Sequence, residues 1–548
     1  MRSATKRNSL LVGRDFIYGS LLAVLFIMLS AELYFFASVQ DIWVDETTQL
    51  SGITLSPLEL LRWLSGINLD RFGVPGDRMP PGSYMIDWIW LHLSGPSVFG
   101  FRLFHSTLVV VGVGLLVAFS WRTLGPASAT LILAFLTFSP KLIQTAVEIR
   151  AYPIFFVVTC VQASVFVVLV SRDRVDIKQL FAFAMICLAA IYTHFYGIVS
   201  TCAFFLALGI AFFRSSESLV GLAVASASVM VGSLGLLPFV SSAVVQSPPT
   251  TGQHIIRYLI YPFRLFGDAA NTVSVTAFLL FFLGALALFS AGAFSAFARA
   301  KLRTTRPFDW LWVVAIAGIF ATIAASLVIR TFDVLNSSYS SWLFVLLALL
   351  IGVGAALPTG FRFWDDAGRF VAGGAMLVGA AISTHSFLRH ASMFVHGPGR
   401  FVSGVYDKVG FPKAIVYEAG SAWGFSYFPL AFSYNQQIIQ YRSAENKDGL
   451  IRIGGSEGQP VAQRMESALE SYNNILLVDV RLRTAQDLRR CQNHPSSCPQ
   501  YAIGEVGGWL AGTGNWTEYK AERSFGLYDA QIRLFKRVPQ SAAPSVNQ

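Results

Sequence analysis

The sequence predicts an all-α polytopic membrane protein of about eleven transmembrane helices, followed by a small α/β domain. Three observations lead to this fold class. Apolar residues make up 54% of the chain and charged residues only 13%, about half of the usual charged share. Apolar runs long enough to cross a bilayer recur along residues 1–388, since a hydrocarbon core needs about 20 apolar residues per helix. After residue 388 the long apolar runs end and charges become frequent. The composition excludes a disordered chain, a collagen-like fibre and a small disulfide-stabilised protein.

The apolar runs are predicted as spans, and the basic residues between them set their orientation. Basic residues precede the first run and recur in alternate loops, which is typical of cytoplasmic loops. The N-terminus is therefore expected in the cytoplasm, and an odd number of spans places the C-terminal segment outside. The formal charge of +10 then reflects basic loops rather than a nucleic-acid partner. The first run lacks a small-x-small cleavage site and is expected to stay as an anchor. The runs are 16–38, 100–121, 125–142, 152–170, 179–194, 195–213, 218–243, 273–297, 308–329, 339–357 and 370–388.

Two domains follow from this division. Residues 1–388 form the membrane domain, with a large first outer loop at about 39–100 and a second outer loop at 244–272. Residues 389–548 form an extracytoplasmic α/β domain, in which a helix-like stretch lies near 461–472. Its predicted strands are Ala414–Tyr417, Ile475–Val480 and Gln531–Phe535. The whole is expected in the cytoplasmic (inner) membrane.

Two cysteines of the C-terminal domain, Cys491 and Cys498, lie in a loop rich in proline and serine. A disulfide between them suits an oxidising compartment outside the cytoplasm. The alternative is two free thiols.

The first outer loop begins with two adjacent carboxylates at the predicted membrane surface. Asp45 and Glu46 follow the first span almost directly. A carboxylate at this place can take the proton of an attacking hydroxyl, which makes Asp45 a candidate general base. The alternative is a solvated helix cap, because acidic residues are common at the start of a helix.

Further charged and imidazole side chains are predicted on the same side of the membrane. Arg150 suits a phosphate because its guanidinium is planar, permanently charged and donates in pairs. Its alternative is a structural ion pair with Glu148 or Asp45. His194, between two spans, is either a hydrogen-bonded core residue or a catalytic group. Arg257 lies among aromatic residues at helical spacing, where it would grip a lipid phosphate or anchor the chain at the interface.

The order of these motifs resembles that of the GT-C membrane glycosyltransferases. The specific likeness is to the dolichyl-phosphate-mannose protein mannosyltransferases and to bacterial lipid A aminoarabinose and lipopolysaccharide galacturonosyltransferases. The resemblance covers roughly residues 16–360 and implies a helical fold with a cavity open to the outer face. It also implies a sugar donor on a polyprenyl phosphate, and transfer with inversion to an acceptor hydroxyl. The motifs are Asp45-Glu46, Pro80-Pro81, Tyr84, Phe101-Arg102-Leu103, Glu148-x-Arg150-x-Tyr152 and Thr193-His194-Phe195.

The resemblance also implies roles for individual residues. By position, Asp45 would be the catalytic base and Glu46 its neighbour that orients the acceptor. Arg150 and Arg78 would face the donor phosphate. This agrees with the chemistry, because a phosphate leaving group needs a cation more than a general acid. The other residues expected to contact substrate are Tyr84, Tyr152 and His194.

Two positions depart from the family pattern. Met79 stands where relatives usually carry His or Lys before the proline pair, and Arg78 would supply that charge. Ser338 stands where many relatives carry Arg, and Arg330 would compensate for it.

The sequence thus predicts a glycosyltransferase that uses a polyprenyl-phosphate-linked sugar, with a lipid, glycan or protein as acceptor. A transporter or flippase of lipid-linked glycans is the alternative, although it would need charged or broken helices at mid-bilayer. A non-catalytic scaffold that keeps the fold is the third reading. The sequence has no P-loop and no zinc-spaced His/Cys cluster. No cofactor is required; the paired carboxylates would suit a divalent cation, but no ligand spacing demands one.

Overall fold

The computed structural model of the chain is mostly helical and carries one five-stranded sheet near its C-terminus. It describes residues 2–42, 44–67, 77, 79–172, 174–243, 258, 260–262, 265, 275–302, 305–329, 335, 341–356, 364–389, 399–410, 413–418, 450–453, 469, 472–482, 505–524 and 528–539.

The described helices are numbered here in chain order. The first twelve are α1 Arg2–Val39, α2 Val44–Ile53, α3 Pro57–Leu64, α4 Pro81–Ser94, α5 Val98–Leu124, α6 Pro126–Thr137, α7 Pro140–Val147, α8 Ala151–Val170, α9 Ile177–Thr193, α10 Tyr196–Ala211, α11 Ser216–Ser233 and α12 Leu237–Ala243. The remaining six are α13 Val275–Lys301, α14 Trp310–Ile329, α15 Ser341–Ala356, α16 Arg369–Arg389, α17 Gly399–Lys408 and α18 Glu505–Gly512.

Each of the eleven predicted spans coincides with described helix. Among the described residues, 7 helices are long and apolar enough to cross a membrane, and α6 with α7 makes an eighth if that bent pair is one span. The other three runs correspond to the shorter apolar helices α9, α10 and α15. Length and composition alone thus support seven or eight spans rather than the predicted eleven.

Helix ends follow the local sequence. The Ser97 hydroxyl accepts from the Gly100 amide at the start of α5, and the Ser139 hydroxyl accepts from the Leu142 amide at the start of α7, as N-cap residues do. Between α6 and α7 the axis bends by 66°, because Pro140 cannot continue the preceding helix. Pro81 is the first residue of α4, so the proline pair is a helix start.

Small residues allow a close contact between α13 and α15. A Cβ atom on Gly354 of α15 would lie 1.9 Å from the Leu288 carbonyl oxygen of α13. Gly292 faces the same point from α13, where a Cβ would lie 3.3 Å from the Gly354 Cα. In lipid, where no hydrophobic force draws helices together, such close backbone approach is a main source of helix association.

Two aromatic contacts show which helix ends lie at each end of the bundle. At one end the last turn of α1 meets the last turn of α16, where the rings of Phe36 and Phe387 lie 5.1 Å apart. At the other end the rings of Phe119, late in α5, and Phe308, just before α14, are 6.2 Å apart. The first outer loop joins the former end, and the candidate site lies there.

The C-terminal part of the chain contains a mixed sheet with strand order β2-β1-β3-β5-β4. The strands β2, β1 and β3 are parallel, while β5 pairs antiparallel with both β3 and β4. The three predicted strand runs lie within β1, β3 and β5, as expected. The predicted helix near 461–472 falls mostly outside the described residues, and both cysteines of the predicted disulfide lie outside them. The strands are β1 Lys413–Glu418, β2 Leu450–Ile453, β3 Asn474–Leu482, β4 Trp516–Ser524 and β5 Tyr528–Arg537.

Candidate functional site

The charged residues of the first outer loop meet the turn between α7 and α8 at one end of the bundle. Asp45 and Glu46 lie in the first turn of α2. This helix of the first outer loop contacts α4 and α5. The turn carries Glu148, Ile149 and Arg150. A chain of hydrogen bonds joins these elements across 56 to 105 residues of sequence.

Glu46 is locked in a buried ion pair with Arg102 of α5. The Arg102 Nη1 and Nη2 atoms each donate to one oxygen of the Glu46 carboxylate at 2.7 Å, and both side chains are 0% exposed. The Ile149 amide donates to the same carboxylate at 2.8 Å. Arg102 also donates to the carbonyl oxygens of Val147 and Asp41, each at 2.8 Å. The Glu46 carboxylate is thus enclosed and fixes the backbone, and its role in orienting the acceptor stays a prediction.

A second buried network links α2, α4 and α5 around Asp87. The Gln49 amide donates to one Asp87 oxygen at 2.8 Å, and His105 Nε2 lies 2.7 Å from the other. His105 Nδ1 lies 2.7 Å from the Glu148 carbonyl oxygen. Since a carbonyl only accepts, Nδ1 must carry a hydrogen. A proton must then also lie between Nε2 and Asp87, so the pair is either imidazolium with carboxylate or neutral imidazole with carboxylic acid.

Arg150 and Asp77 form the ion pair closest to Asp45. Arg150 Nη1 donates to an Asp77 oxygen at 2.6 Å and to the Asp45 carbonyl oxygen at 3.0 Å. The Tyr84 hydroxyl donates to the same Asp77 oxygen at 2.5 Å. Burial, and next the Asp77 charge, raise the pKa of Tyr84, so the phenol stays a donor. The sequence suggested an ion pair of Arg150 with Glu148 or Asp45. In the structure Arg150 instead pairs with the carboxylate of Asp77.

Asp45 is the carboxylate of the site that is left available. Its side chain is half-buried, and within the described residues no donor lies at hydrogen-bond distance from its carboxylate. Burial raises the pKa of Asp45, and the charges of Asp77 and Glu46 add to this effect, while the Arg150 guanidinium opposes it. A poorly solvated carboxylate whose pKa is raised is a stronger base than an ordinary surface Asp.

Arg150 keeps part of its donor capacity. Its Nε atom is buried and has no hydrogen-bond partner among the described residues. The guanidinium is therefore only partly satisfied by Asp77 and the Asp45 carbonyl, and an anion could take further hydrogen bonds from it.

Glu148 and His194 flank Arg150 but hold no charge near neutral pH. Burial raises the pKa of Glu148 to about 8, so its carboxyl is largely protonated at pH 7. Burial, with the nearby Arg150 charge, lowers the pKa of His194 to about 3. The His194 Nδ1 atom accepts from the Tyr196 amide at 3.1 Å, and the ring stacks on Phe155 at 5.3 Å between centroids. His194 thus has the geometry of the hydrogen-bonded core residue.

A close approach of the α4 backbone to the end of α9 also shapes this end of the bundle. A Cβ atom on Gly82, in the first turn of α4, would lie 2.5 Å from the Tyr192 carbonyl oxygen. Glycine at this position lets α4 approach the end of α9, close to His194. Tyr152, the other aromatic residue predicted for the site, is buried, and its ring centroid lies 5.5 Å from that of His194.

Several predicted site residues lie outside the described part of the chain, namely Arg78, Arg257 and Arg330. Four residues of the site were assigned no role from the sequence, although one of them, Arg102, belongs to a family motif: Asp77, Asp87, Arg102 and His105. Two of them had a visible signal, because Arg102 and His105 are ionisable residues inside a predicted span, where such residues are rare. Within the described residues, no group of three His, Cys, Asp or Glu side chains is arranged to hold a metal ion.

Comparison with known proteins identifies the fold. No family model matches the sequence, and no curated protein sequence matches it. The apo structure of ArnT from Cupriavidus metallidurans matches with a TM-score of 0.54 at 12% identity, over 93% of this chain and 97% of ArnT. The structure of the same protein bound to undecaprenyl phosphate matches with a TM-score of 0.51 at 13% identity, over 95% and 99%. ArnT is a GT-C glycosyltransferase, and this chain therefore has the GT-C fold that its motif order resembles.

A weaker likeness exists to the apo oligosaccharyltransferase of Archaeoglobus fulgidus. Its TM-score is 0.46 at 11% identity, over 84% of this chain and 69% of that one. A score at this level is too low to support an inference about the present chain. At the identities seen for ArnT, the likeness establishes the fold and leaves the reaction to be argued from the site.

Proposed function

We propose that this protein is an integral membrane glycosyltransferase that moves a sugar from a polyprenyl phosphate to an acceptor hydroxyl. The observation that carries the proposal is Asp45, an available carboxylate of raised pKa beside the Arg150 guanidinium in a GT-C fold. The ArnT structure with undecaprenyl phosphate supports a polyprenyl phosphate as the carrier. The acceptor would be an envelope lipid, a glycan or a protein.

In this reaction the two charged groups take opposite parts. Asp45 accepts the proton of the acceptor hydroxyl as its oxygen attacks the anomeric carbon. The bond between that carbon and the phosphate oxygen breaks, and the carrier phosphate leaves with the electron pair. Attack from the face opposite the leaving group inverts the anomeric centre. The sugar is already activated, so positioning and one base suffice.

Arg150 would stabilise the departing phosphate. Its Nε atom lacks a partner among the described residues, and its Nη1 atom is shared between Asp77 and the Asp45 carbonyl. A phosphate that binds here therefore competes with Asp77 for the guanidinium. Charge developing on the leaving oxygen strengthens the contact in the transition state, which is where binding accelerates a reaction.

The membrane setting of this reaction also belongs to the proposal. The basic loops between α8 and α9, and between α13 and α14, lie at the end of the bundle opposite Asp45. The positive-inside rule supports our proposal that Asp45 and the C-terminal sheet lie on the extracytoplasmic side of the cytoplasmic membrane. The transporter alternative is less well supported, because Arg102, His105 and Glu148 gather at one end of the bundle rather than along a path through it.

A transfer assay with Asp45→Asn tests the proposal. The full-length protein would be reconstituted in lipid nanodiscs with a panel of undecaprenyl-phosphate sugars and an envelope lipid extract. Loss of a general base typically lowers the rate by about 10²–10⁴-fold, whereas binding of the donor should persist. Glu217→Gln is the matched control, since it also removes one acidic charge but lies exposed at the opposite end of the bundle.

The outcomes separate the function from the residue assignment. Transfer by wild type and by Glu217→Gln, with loss in Asp45→Asn at unchanged melting temperature, supports both. Transfer that persists in Asp45→Asn overturns the role of Asp45. Translocation of intact lipid-linked sugar without transfer overturns the enzyme and supports a transporter.

A further inference from the structure

A groove lies between α13 and α14, at the end of the bundle opposite Asp45 and Glu46. Its cavity measures about 410 Å³, within the range of small-ligand sites. Most of its lining is apolar, and several lining residues are exposed on the outer surface of the helices, so the groove opens sideways. The lining residues used below are Ala300, Thr305, Asp309 and Trp312.

The groove is distant from the proposed sugar-transfer site. Phe308, one residue before Asp309, packs against Phe119 near the end of α5. Arg102, which holds Glu46, lies in the first turns of the same helix. Phe119 lies 17 positions after Arg102, which corresponds to about 25 Å along the helix axis. A ligand in the groove therefore occupies a separate site.

The mouth of the groove is positively charged. The one acidic lining residue, Asp309, is neutralised by Arg299, whose Nε atom donates to it at 2.9 Å. The Arg306 amide donates to the same carboxylate at 2.8 Å. The side chains of Lys301 and Arg306 are exposed and follow the lining residues Ala300 and Thr305 directly in the chain. This leaves an excess of positive charge where the apolar groove meets the membrane surface.

A buried hydrogen-bond donor belongs to a residue in the wall of the groove. Trp312 is 8% exposed, and its ring packs against Phe289 with centroids 4.3 Å apart. Within the described residues its indole nitrogen has no hydrogen-bond partner. An unpaired donor is costly next to hydrocarbon, so a ligand that brings an acceptor oxygen to this depth is favoured.

We propose that this groove binds an anionic glycerophospholipid from the leaflet opposite the sugar-transfer site. The phosphate would contact Lys301 and Arg306, since basic side chains at such positions attract anionic headgroups. One acyl chain would fill the apolar groove, and its ester carbonyl would accept from the Trp312 indole. A polyprenyl phosphate has no ester carbonyl, which is why a glycerophospholipid fits the three features together.

Lipid retention and lipid-induced stabilisation test this site. The full-length protein, purified in mild detergent, would be titrated with phosphatidylglycerol or with phosphatidylcholine of the same chains. Bound lipid is counted by native mass spectrometry, and the melting temperature is measured in parallel. We expect phosphatidylglycerol to be retained and to raise the melting temperature, and phosphatidylcholine to do neither to the same extent.

Two kinds of variant separate the charge from the groove. The double substitution Lys301→Gln/Arg306→Gln removes both exposed charges and should weaken phosphatidylglycerol binding on the order of 30-fold. Ala300→Phe keeps the charges but fills the groove from an exposed position, and should reduce retention as well. The control Arg172→Gln/Lys178→Gln removes two exposed charges from another loop at the same end of the bundle and should leave binding unchanged.

The proposal fails under three results. Equal retention in wild type and in Lys301→Gln/Arg306→Gln would show that these charges do not hold the lipid. Equal loss in the Arg172→Gln/Lys178→Gln control would show a general effect of surface charge. Displacement by undecaprenyl phosphate but not by excess phosphatidylglycerol would assign the groove to the polyprenyl carrier instead.

Discussion

The buried ion pair between Glu46 and Arg102 predicts a large loss of stability when either side chain is neutralised. Both side chains are fully enclosed, so removal of one leaves the other charge without its counter-ion in a medium of low dielectric constant. Such a change typically costs about 3–5 kcal/mol of the free energy of unfolding. The two single variants, Glu46→Gln and Arg102→Met, should differ within that range.

The hydrogen bonds of the pair set the order of the two effects. Arg102→Met removes four bonds, two to Glu46 and two to the carbonyl oxygens of Asp41 and Val147. We therefore expect the upper end of the range, about 5 kcal/mol. Glu46→Gln keeps one oxygen as an acceptor but turns an amide NH₂ toward the guanidinium, and should cost about 3 kcal/mol. The double variant should cost less than the sum by about 2 kcal/mol, because no unpaired charge remains.

Unfolding of the four proteins in mixed micelles, followed by tryptophan fluorescence, measures these differences. The control is the pair Arg174 and Glu217, 3.5 Å apart with side chains 81% and 77% exposed. Its neutralisation should change stability by less than about 1 kcal/mol. The reasoning is refuted if Glu46→Gln costs no more than this control, or if the two single effects add to within about 0.5 kcal/mol.

Three further predictions concern the turn and its neighbours. The transfer rate should be lost on acidification at a pH above the pKa of an ordinary Asp, because the pKa of Asp45 is raised. Asp77→Asn should move this loss of activity to lower pH, since the Asp77 charge contributes to the raised pKa. Gly82→Ala should lower the melting temperature, because the new Cβ would lie 2.5 Å from the Tyr192 carbonyl oxygen; a melting temperature equal to wild type would contradict this. As pH rises from 5 to 8, the free energy of unfolding of wild type should fall relative to that of Glu148→Gln. The Glu148 carboxyl has a pKa of about 8 when folded and near 4.5 when unfolded, so unfolding releases a proton in this range. Parallel curves of stability against pH for the two proteins would show that Glu148 is not buried as a neutral acid.

The sequence predicted the helices of the membrane domain better than their contacts. Each apolar run lies on described helix, because hydrophobicity over about 20 residues reports burial in lipid directly. The pattern does not say which face of a helix meets which neighbour. For that reason the pairing of Arg150 with Asp77, 73 residues away, was missed, and Glu148 and Asp45 were considered as its partners instead.

The functions of the two adjacent carboxylates also differ for a reason that the dipeptide does not contain. Asp45 and Glu46 are neighbours on one helix turn, and a rotation of about 100° between consecutive residues points one toward α5 and leaves the other available. The partner that decides this is Arg102. A charged residue in an apolar span indicated that such a partner exists, but the register of α2 against α5 depends on the folded loop.

Three consecutive residues, the last of α7 and the first two of the turn before α8, are each tied through one main-chain group. The Val147 carbonyl accepts from Arg102, the Glu148 carbonyl from His105, and the Ile149 amide donates to Glu46. None of these ties uses the side chains of the turn itself. Side-chain substitutions at positions 147 to 149 should therefore leave these three main-chain ties in place, whereas Arg150 acts through its own guanidinium. The backbone path of the turn and the chemistry of its side chains are in this respect separable.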